Sequence, residues 1–263
     1  MEKKRRADGI IAKPMYHDAE LYDLKYAEKV EDITYYLRNL RDRGENILEL
    51  MCGTGRIAIP LAQYGNIVTG IDNSYTMLAY AHKKIGQTFL KNIWLYEYDC
   101  RDFDLGRKFS SVILPLNSLA HLLTDYDVRK TCDCIKLHLL PRGRFFLDYL
   151  NPNLDILMRN RTTPELAGAY TTSTRKKITL SFTNMYNEKK QINTVHWFYD
   201  IEGSNERYVE EMPMRIYFPQ ELDALLEANG FIIEEKYGNY DHSPFTESSP
   251  QQLYICRNGA ISS

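Results

Sequence analysis

The sequence predicts an α/β fold with a doubly wound, seven-stranded, mostly parallel sheet that is interrupted by an antiparallel β insertion. Over roughly the first 150 residues, short apolar runs alternate with stretches of helical periodicity, a pattern typical of an open parallel sheet with helices on both faces. Residues 170–217 instead alternate apolar and polar side chains with a period of two, as in antiparallel strands. Helical and then strand patterns return after this segment, so the parallel core resumes there.

The individual elements follow from the same periodicities. Apolar residues at helical spacing across residues 19–40 predict an amphipathic helix or a helix pair. Five parallel strands are predicted at Ile47–Met51, Ile67–Asp72, Ile93–Tyr98, Val112–Leu116 and Arg144–Leu150. Helices are predicted at Arg56–Gln63, Ser74–Ile85, Asp125–Leu139 and Pro219–Asn229. Two final strands are predicted at Phe231–Tyr237 and Gln252–Arg257.

These elements divide the chain into four parts. We predict an N-terminal helical cap at 1–43, the ligand-binding part of the core at 44–151, the antiparallel β insertion at 152–217 and the remainder of the core at 218–263. An insertion that leaves the core near the carboxyl ends of its strands is placed to cover a ligand. We therefore expect the insertion to lie over the active site.

Composition excludes several classes of partner. The 263 residues include 33 Lys and Arg against 35 Asp and Glu, a net charge of −2, so no basic excess gathers nucleic acid or an anionic membrane. Five scattered cysteines, an odd number without zinc-ribbon spacing, indicate reduced thiols and a cytoplasmic protein. We expect no metal, no nucleic acid and no membrane partner.

The most informative segment joins the first predicted strand to the first crossover helix. Gly53 and Gly55 allow the backbone to turn sharply and a ligand to lie against it, while the following helix directs free N–H groups at that ligand. Asp72 ends the next strand, where a carboxylate can accept hydrogen bonds from a ribose diol. The segment therefore predicts a nucleoside-containing cofactor.

Two cofactor classes fit this glycine spacing, because G-x-G-x-x-A also matches the dinucleotide fingerprint. Three features favour S-adenosylmethionine. Glu49, just before the loop, would repel a pyrophosphate but can engage an amino acid. A second acidic segment, Asp99–Phe103, follows the third strand where an adenine edge would lie. Little sequence outside the sheet is left for a dehydrogenase catalytic domain.

The segment Glu49–Gly55 resembles motif I of class I S-adenosylmethionine-dependent methyltransferases, Val68–Ser74 resembles their motif II, and Asp99–Phe103 is similar to their adenine-binding loop. The resemblance covers about residues 20–150, and 215–257 more loosely. It implies a Rossmann-like core, S-adenosyl-L-methionine as cofactor and S-adenosyl-L-homocysteine as product. One departure is Met51, which stands where the family most often has its first glycine and suggests a tighter turn.

Residue by residue, the resemblance places Glu49, Gly53 and Gly55 at the methionine moiety. It places Asp72 at the ribose, and Asp99 with Cys100 at the adenine. The full set of cofactor-binding residues that it implies is Tyr26, Glu49, Gly53, Thr54, Gly55, Asp72, Asn73, Met77, Asp99, Cys100, Arg101 and Leu116.

The segment after the fourth strand, Leu114–Leu122, resembles a small-molecule subgroup that includes glycine N-methyltransferase and the nucleotide-sugar amine N-methyltransferases. His121 matches the histidine that follows this strand in the sugar enzymes, and Tyr22-Asp-Leu-Lys-Tyr26 matches their N-terminal Tyr-Asp-x-x-Tyr element. The resemblance thus implies His121 and Tyr22 as catalytic residues, since an imidazole suits an amine or a hydroxyl acceptor. A histidine bonded to backbone and tyrosines in ordinary packing are the alternatives.

The leading functional hypothesis is methyl transfer to nitrogen or oxygen of a small-molecule acceptor. Trp197 and Tyr199 of the insertion could line the acceptor pocket, although alternating aromatic residues are also typical of a core. Alternatives are an RNA or protein methyltransferase, a non-catalytic S-adenosylmethionine-binding protein and, more distantly, a nicotinamide oxidoreductase. The near-neutral charge and the segment Leu116–Leu119, which lacks an Asn-Pro-Pro-Tyr motif, count against RNA. The sequence does not identify the methyl acceptor or the oligomeric state, including whether the protein forms a homodimer.

Overall fold

Two structural units make up the chain. The computed structural model describes residues 11–12, 18–40, 42, 44–204 and 207–259, so parts of the predicted N-terminal cap lie outside the described residues. Contacts between α-carbons group Met1–Glu28 with Asn153–Ile216, which we call the insertion unit. They group Lys29–Pro152 with Tyr217–Ser263, which we call the core unit.

The elements are numbered along the chain. The strands of the core unit are β2 (Asn46–Leu50), β3 (Ile67–Asp72), β4 (Ile93–Glu97), β5 (Phe109–Leu114), β6 (Leu139–Leu150), β11 (Phe231–Tyr237) and β12 (Gln251–Asn258). Its helices are α2 (Glu31–Asn39), α3 (Ala58–Tyr64), α4 (Tyr75–Gly86), α5 (Asp125–His138), α7 (Pro219–Ala228) and a short 3-10 helix, Ser118–His121. The insertion unit contains β1 (Ile11–Ala12), α1 (Ala19–Lys25), α6 (Leu154–Leu157), β7 (Glu165–Thr171), β8 (Lys177–Asn187), β9 (Ile192–Ile201) and β10 (Arg207–Arg215).

The core unit is a seven-stranded sheet in the order β11-β12-β6-β5-β2-β3-β4. Strands β4, β3, β2, β5 and β6 are parallel, whereas β12 is antiparallel to both of its neighbours. This confirms the predicted α/β, Rossmann-like, doubly wound fold. The chain order reverses between β2 and β5, and ligands of such sheets bind outside the carboxyl ends of the strands at this point.

Burial explains why these segments form a sheet with helices on its faces. Four of the five residues of β2 are buried, and β3 is buried from its second residue onward, as in parallel strands covered on both sides. Buried residues of α2, α3 and α4 join strand residues in one hydrophobic cluster. Right-handed crossovers place α3 and α4 on one face and α5 on the other.

The structure differs from the sequence prediction at the ends of two strands. The predicted strand Val112–Leu116 ends at Leu114, because Leu116 and Asn117 have φ angles of 53° and 60°, which no strand accommodates. The strand predicted at Arg144–Leu150 begins five residues earlier, at Leu139, directly after α5. Both boundaries depend on tertiary hydrogen bonds that local pattern does not report.

The insertion unit contains a five-stranded sheet in the order β1-β10-β9-β8-β7. Strands β7 to β10 pair antiparallel, as the period-two pattern predicted, and β1 pairs parallel with β10. The register places Trp197 opposite Phe182 on one side and Glu210 on the other. Asp18 caps the N-terminus of helix α1, and its carboxylate accepts a hydrogen bond from the Leu21 backbone at 3.0 Å.

Within the described residues, none of the helices has the length and apolar character needed to cross a bilayer. In the same part of the chain, no cluster of three or more His, Cys, Asp and Glu residues is arranged to hold a metal ion.

The close packing of β3 yields a stability prediction. A Cβ at Gly70 would lie 2.7 Å from Sγ of Cys52 and 2.7 Å from a methyl group of Leu95. We expect Gly70→Ala to lower the free energy of unfolding by about 1–3 kcal/mol through overpacking, as measured by urea denaturation followed by circular dichroism. Gly86→Ala is the control, because no atom lies within 4 Å of its added Cβ. Equal stabilities of the two variants would contradict this packing.

Candidate active site

The loop between β2 and α3 forms the floor of the candidate site. Met51, Gly53 and Gly55 have φ angles of 53°, 53° and 72°. Glycine adopts this left-handed conformation readily, whereas another residue is destabilised by roughly 1–2 kcal/mol. Met51 therefore takes the conformation that glycine favours at the position where the methyltransferases most often have glycine. Such strain is found mainly at functional sites.

Asp72, at the end of β3, closes this loop. One of its carboxylate oxygens accepts a hydrogen bond from Gly53 N and the other from Ser74 N, both at 2.8 Å. Burial raises the pKa of Asp72, and the two backbone hydrogen bonds oppose that rise. Each oxygen keeps further acceptor capacity, as two ribose hydroxyls require. The carboxylate is thus held in place before any ligand binds.

Glu49 lies in β2 and is only 2% exposed. Burial raises the pKa of Glu49 to about 8, although the charge of Arg56 and a hydrogen bond from the Ala58 backbone favour the ionised form. Its Oε2 atom has no hydrogen-bond partner within the described part of the chain. A buried carboxylate oxygen without a partner is costly, and a cationic ligand group is its physical complement.

Arg56 connects the glycine loop to α2. Its guanidinium donates to the carbonyl of Lys29 at 2.8 Å and, with both terminal nitrogens, to the fully buried carboxylate of Asp32. The sequence does not distinguish Asp32 from a helix-terminal charge, because an acid in the first turn of an amphipathic helix is typical of one. The ion pair fixes the start of α2 beside the cofactor loop.

The acidic loop after β4 reaches the same edge of the sheet, since Tyr98 N donates to the carbonyl of Asp72 at 3.0 Å. Asp99 accepts hydrogen bonds from the backbone and the guanidinium of Arg101, which lower its pKa. Arg101 also donates to Asp127 at 2.8 Å. Cys100 is buried, with Sγ 3.7 Å from Oγ1 of Thr131. The structure thus gathers the acids predicted for methionine, ribose and adenine at one edge.

The other residues of the predicted set occupy varied surroundings in the core unit. Thr54 and Met77 are buried, and the Met77 methyl group lies 3.4 Å from the position of a Gly53 Cβ. Asn73 is exposed, and the Arg101 side chain is 45% exposed. Leu116 is half-buried in the turn after β5.

His121 ends the 3-10 helix that follows β5. Burial lowers the pKa of His121, so its imidazole is neutral and able to accept a proton at neutral pH. The preceding turn is held by a hydrogen bond from Asn117 N to the carbonyl of Asp148 at 3.2 Å and one from Leu150 N to Oδ1 of Asn117 at 3.1 Å. The sequence motif predicts His121 but does not reveal these supporting hydrogen bonds.

Tyr22 lies on α1 of the insertion unit and Tyr26 caps the C-terminus of that helix, with ring centroids 4.8 Å apart. Tyr22 lines a small cavity of about 20 Å³ together with Lys25 and Tyr199. This cavity is large enough for one water molecule. The two tyrosines predicted at the active site thus lie beside a half-buried lysine, the last residue of α1.

Lys25 lies over the indole of Trp197, with Nζ 3.7 Å from the ring centroid. Burial lowers the pKa of Lys25 to about 8, and nearby Glu210 opposes this shift. Glu210 is 6% exposed and accepts a hydrogen bond from the Tyr199 hydroxyl at 2.7 Å, and burial raises its pKa to about 7. One face of the insertion sheet therefore presents aromatic rings together with a cation and a carboxylate.

Comparison with known proteins finds matches among the methyltransferases. Residues 47–143 match the family model of the methyltransferase domain. A dTDP-3-amino-3,6-dideoxy-alpha-D-glucopyranose N,N-dimethyltransferase from Streptomyces fradiae is 31% identical over 132 residues, 48% of this chain and 50% of that protein. A dTDP-3-amino-3,4,6-trideoxy-alpha-D-glucopyranose N,N-dimethyltransferase from Streptomyces venezuelae is 30% identical over 132 residues, 48% of this chain and 54% of that protein.

The chain thus spans about half the length of the curated relatives it matches. Among solved structures, the CcbJ methyltransferase from Streptomyces caelestis superposes with a TM-score of 0.75 at 22% identity, covering 94% of this chain and 99% of that one. At this identity the likeness shows the shared fold. Together, the matches confirm the resemblance to the class I methyltransferases, including the sugar amine N-methyltransferases.

The burial of Glu49 yields a pH-dependent prediction. Because its folded pKa is about 8, above the ordinary 4.5, its stabilising contribution is complete below about pH 4.5 and is lost as the pH rises through 8. Glu49→Gln does not titrate, so its stability relative to the unmodified protein should increase by more than about 1 kcal/mol between about pH 5 and 8.5. Denaturant unfolding at both pH values measures this change. Glu97→Gln, at an exposed site at the end of β4, is the control. A stability difference between Glu49→Gln and the unmodified protein that does not change with pH would exclude the raised pKa of Glu49.

Proposed function

We propose that this protein is an S-adenosylmethionine-dependent methyltransferase that transfers a methyl group to nitrogen or oxygen of a small-molecule acceptor. The observation that carries the proposal is the buried Oε2 of Glu49, which has no partner within the described residues and lies beside the glycine loop that Asp72 holds. A carboxylate in this state suits the ammonium of an amino acid, and the second carboxylate suits a ribose. A single ligand that contains both an amino-acid ammonium and a ribose therefore fits Glu49 and Asp72 together.

The residues present fit that cofactor. Glu49 and the glycine loop would hold its methionine part, Asp72 its ribose, and Asp99 with the Cys100 backbone its adenine. When bound, the cofactor supplies an electrophilic methyl group on a positively charged sulfur. Transfer breaks the carbon–sulfur bond, leaving the electron pair on sulfur, and forms a bond from the acceptor to the methyl carbon. The acceptor loses a proton, and S-adenosyl-L-homocysteine is the second product.

The buried carboxylates favour a cationic ligand. Glu49 and Asp72 are each less than 10% exposed, and burial raises the pKa of both carboxyl groups. A cationic ligand group beside them would favour their ionised forms, and the ionised carboxylates would in turn favour the positively charged cofactor. Because transfer removes the charge on sulfur, this attraction is weaker for the product.

We propose that His121 takes the proton that the acceptor releases. Its lowered pKa keeps the ring neutral, the form that a general base requires. The 3-10 helix that carries His121 follows β5, one of the two strands beside the switch point of the sheet. We further propose that Tyr22 orients the acceptor.

We propose that the acceptor is an amine on a nucleotide-linked sugar, since both curated relatives are named as N,N-dimethyltransferases of dTDP-amino sugars. The insertion unit would then cover this acceptor. In support, the Lys25 ammonium makes no hydrogen bond or ion pair among the described residues, although the Trp197 ring and Glu210 lie near it. Cationic, anionic and aromatic groups on one face suit a polar sugar better than an apolar substrate.

We also propose a cytoplasmic location. The described cysteines are all free thiols, as a reducing compartment maintains them. The near-neutral net charge supports a small-molecule partner over nucleic acid. The relatives do not favour an RNA or protein methyltransferase.

The cofactor proposal is tested by calorimetry with S-adenosylmethionine. We expect Asp72→Ala to weaken binding by roughly 10–100-fold, because hydrogen bonds to a charged group contribute about 1.5–3 kcal/mol. Asp133→Ala removes an acid that is 57% exposed and paired with Lys136 on α5, and it should leave the affinity unchanged. Unchanged affinity in folded Asp72→Ala would remove Asp72 from the site.

Catalysis is tested with S-adenosylmethionine and dTDP-3-amino-3,6-dideoxyglucose, following S-adenosylhomocysteine release. We expect His121→Ala to lower turnover by about 100- to 10,000-fold at unchanged cofactor affinity, whereas Tyr22→Phe should have a smaller effect. A rise in rate with pH that persists in His121→Ala would assign the ionisation to the substrate instead. Tight cofactor binding without transfer to any amine or hydroxyl acceptor would favour a non-catalytic binding protein.

A further inference from the structure

A buried carboxylate that no sequence motif indicated lies at the end of β6. Asp148 is 1% exposed, and its Oδ2 atom accepts a hydrogen bond from Leu116 N at 3.2 Å and another from the Tyr240 hydroxyl at 2.7 Å. Its main-chain carbonyl accepts a hydrogen bond from Asn117 N at 3.2 Å. Asp148 therefore accepts hydrogen bonds from two consecutive residues of the turn after β5, one through its carboxylate and one through its main-chain carbonyl.

That turn is strained. Leu116 and Asn117 have φ angles of 53° and 60°, and two consecutive left-handed residues without glycine are unusual. Asparagine tolerates this conformation, but leucine does not, so the turn persists only where its surroundings hold it. The hydrogen bonds that Asp148 accepts from Leu116 N and Asn117 N, together with the one that Leu150 N donates to the Asn117 side chain, provide that support. The 3-10 helix that ends at His121 begins at the next residue.

Asp148 also joins the turn to a second loop. Tyr240 lies between β11 and β12, in a segment whose backbone Gly238 N donates to the carbonyl of Ser243 at 2.8 Å. The Tyr240 ring packs 5.9 Å from that of Tyr35 on α2. One carboxylate thus links the loop after β5, the loop before β12 and, through the Tyr240 ring, helix α2.

Asp148 lies in surroundings that disfavour its charge. Burial, with a smaller contribution from the charge of Asp32, raises the pKa of Asp148 to about 6, although the hydrogen bonds from Tyr240 and Leu116 and the charge of Lys29 oppose the rise. The group is thus ionised at neutral pH although it is buried, and a buried charge is weak support for stability compared with an apolar side chain of similar size. A residue retained at such a cost is more readily explained by what it holds in place.

We infer that Asp148 is a positioning residue of the candidate active site, holding the Leu116–Asn117 turn and thereby the imidazole of His121. The catalytic importance of this placement rests on the proposed function, but the placement itself does not. The carboxylate acts through the turn and makes no proton transfer. The turn requires only an oxygen that accepts hydrogen bonds at this point, so the amide oxygen of asparagine should substitute for the carboxylate.

The test measures the turn directly, without an acceptor substrate. We expect Asp148→Ala to accelerate amide hydrogen exchange in residues 116–122 by at least about tenfold and to raise the pKa of His121 towards its ordinary value, because the released turn exposes the ring. Proton NMR titration measures the pKa of the His121 imidazole, and the His121 signal is assigned by its absence from the spectrum of His121→Gln. Asp148→Asn should leave both quantities near those of the unmodified protein, and Asp133→Ala is the surface control.

Unchanged exchange and an unchanged His121 pKa in folded Asp148→Ala would overturn the inference, as would an Asp148→Asn variant as altered as Asp148→Ala. If Asp148→Ala does not fold, Asp148→Ser carries the same expectation, since its hydroxyl is too short to reach Leu116 N. Calorimetry with S-adenosylmethionine on the unmodified protein separates the two proposals. A failure to bind the cofactor would contradict the proposed function. The hydrogen-exchange and titration results test only the positioning role of Asp148.

Discussion

The hydrogen bonds of Asp72 are the contacts on which the candidate site most depends. Its carboxylate holds Gly53 of the glycine loop and Ser74 at the start of α4, and its carbonyl accepts from Tyr98 at the beginning of the acidic loop. Three loops that leave neighbouring strands are thus tied to one residue. The same carboxylate is proposed to bind the ribose, so the group that recognises the cofactor also organises the loops around it. Recognition residues supported in this way need little rearrangement on binding.

Buried acids are the second recurring feature of the core unit. Glu49, Asp72, Asp148 and Asp32 are each less than 10% exposed, and Arg56 pairs directly with Asp32. Apolar residues would stabilise a core more effectively than these charges do. Each acid nevertheless has a local role, since Asp32 holds Arg56 beside the glycine loop, Asp148 holds the turn before His121, and Glu49 keeps one oxygen without a partner among the described residues. Buried acids whose pKa is raised, as for Glu49, Asp72 and Asp148, are typical of functional sites.

The two units contain different sets of the proposed functional residues. The match to the methyltransferase domain, residues 47–143, lies within the core unit, where the proposed cofactor residues other than Tyr26 are found. The insertion unit contains a mainly antiparallel sheet, on which the half-buried Lys25 of α1 and the buried Glu210 of β10 lie among the aromatic residues Trp197 and Tyr199. Methyltransferases share the chemistry of their cofactor and differ in their acceptors. The acceptor recognition that we propose for the insertion unit fits that difference, because a separate unit can change without disturbing the glycine loop.

The sequence alone determined the fold class, the strands, the glycine loop and the acids Glu49, Asp72 and Asp99. These features depend on local periodicity and on short spacings between strand, turn and helix. The tertiary structure decided the rest: Asp32 meets Arg56 across 24 positions, and Asp148 meets Tyr240 across 92. It also decided that Leu116 and Asn117 turn left-handed instead of extending β5. A buried acid at the end of an apolar strand and a leucine in a turn have no local signature, because the partners that hold them come from distant strands and loops.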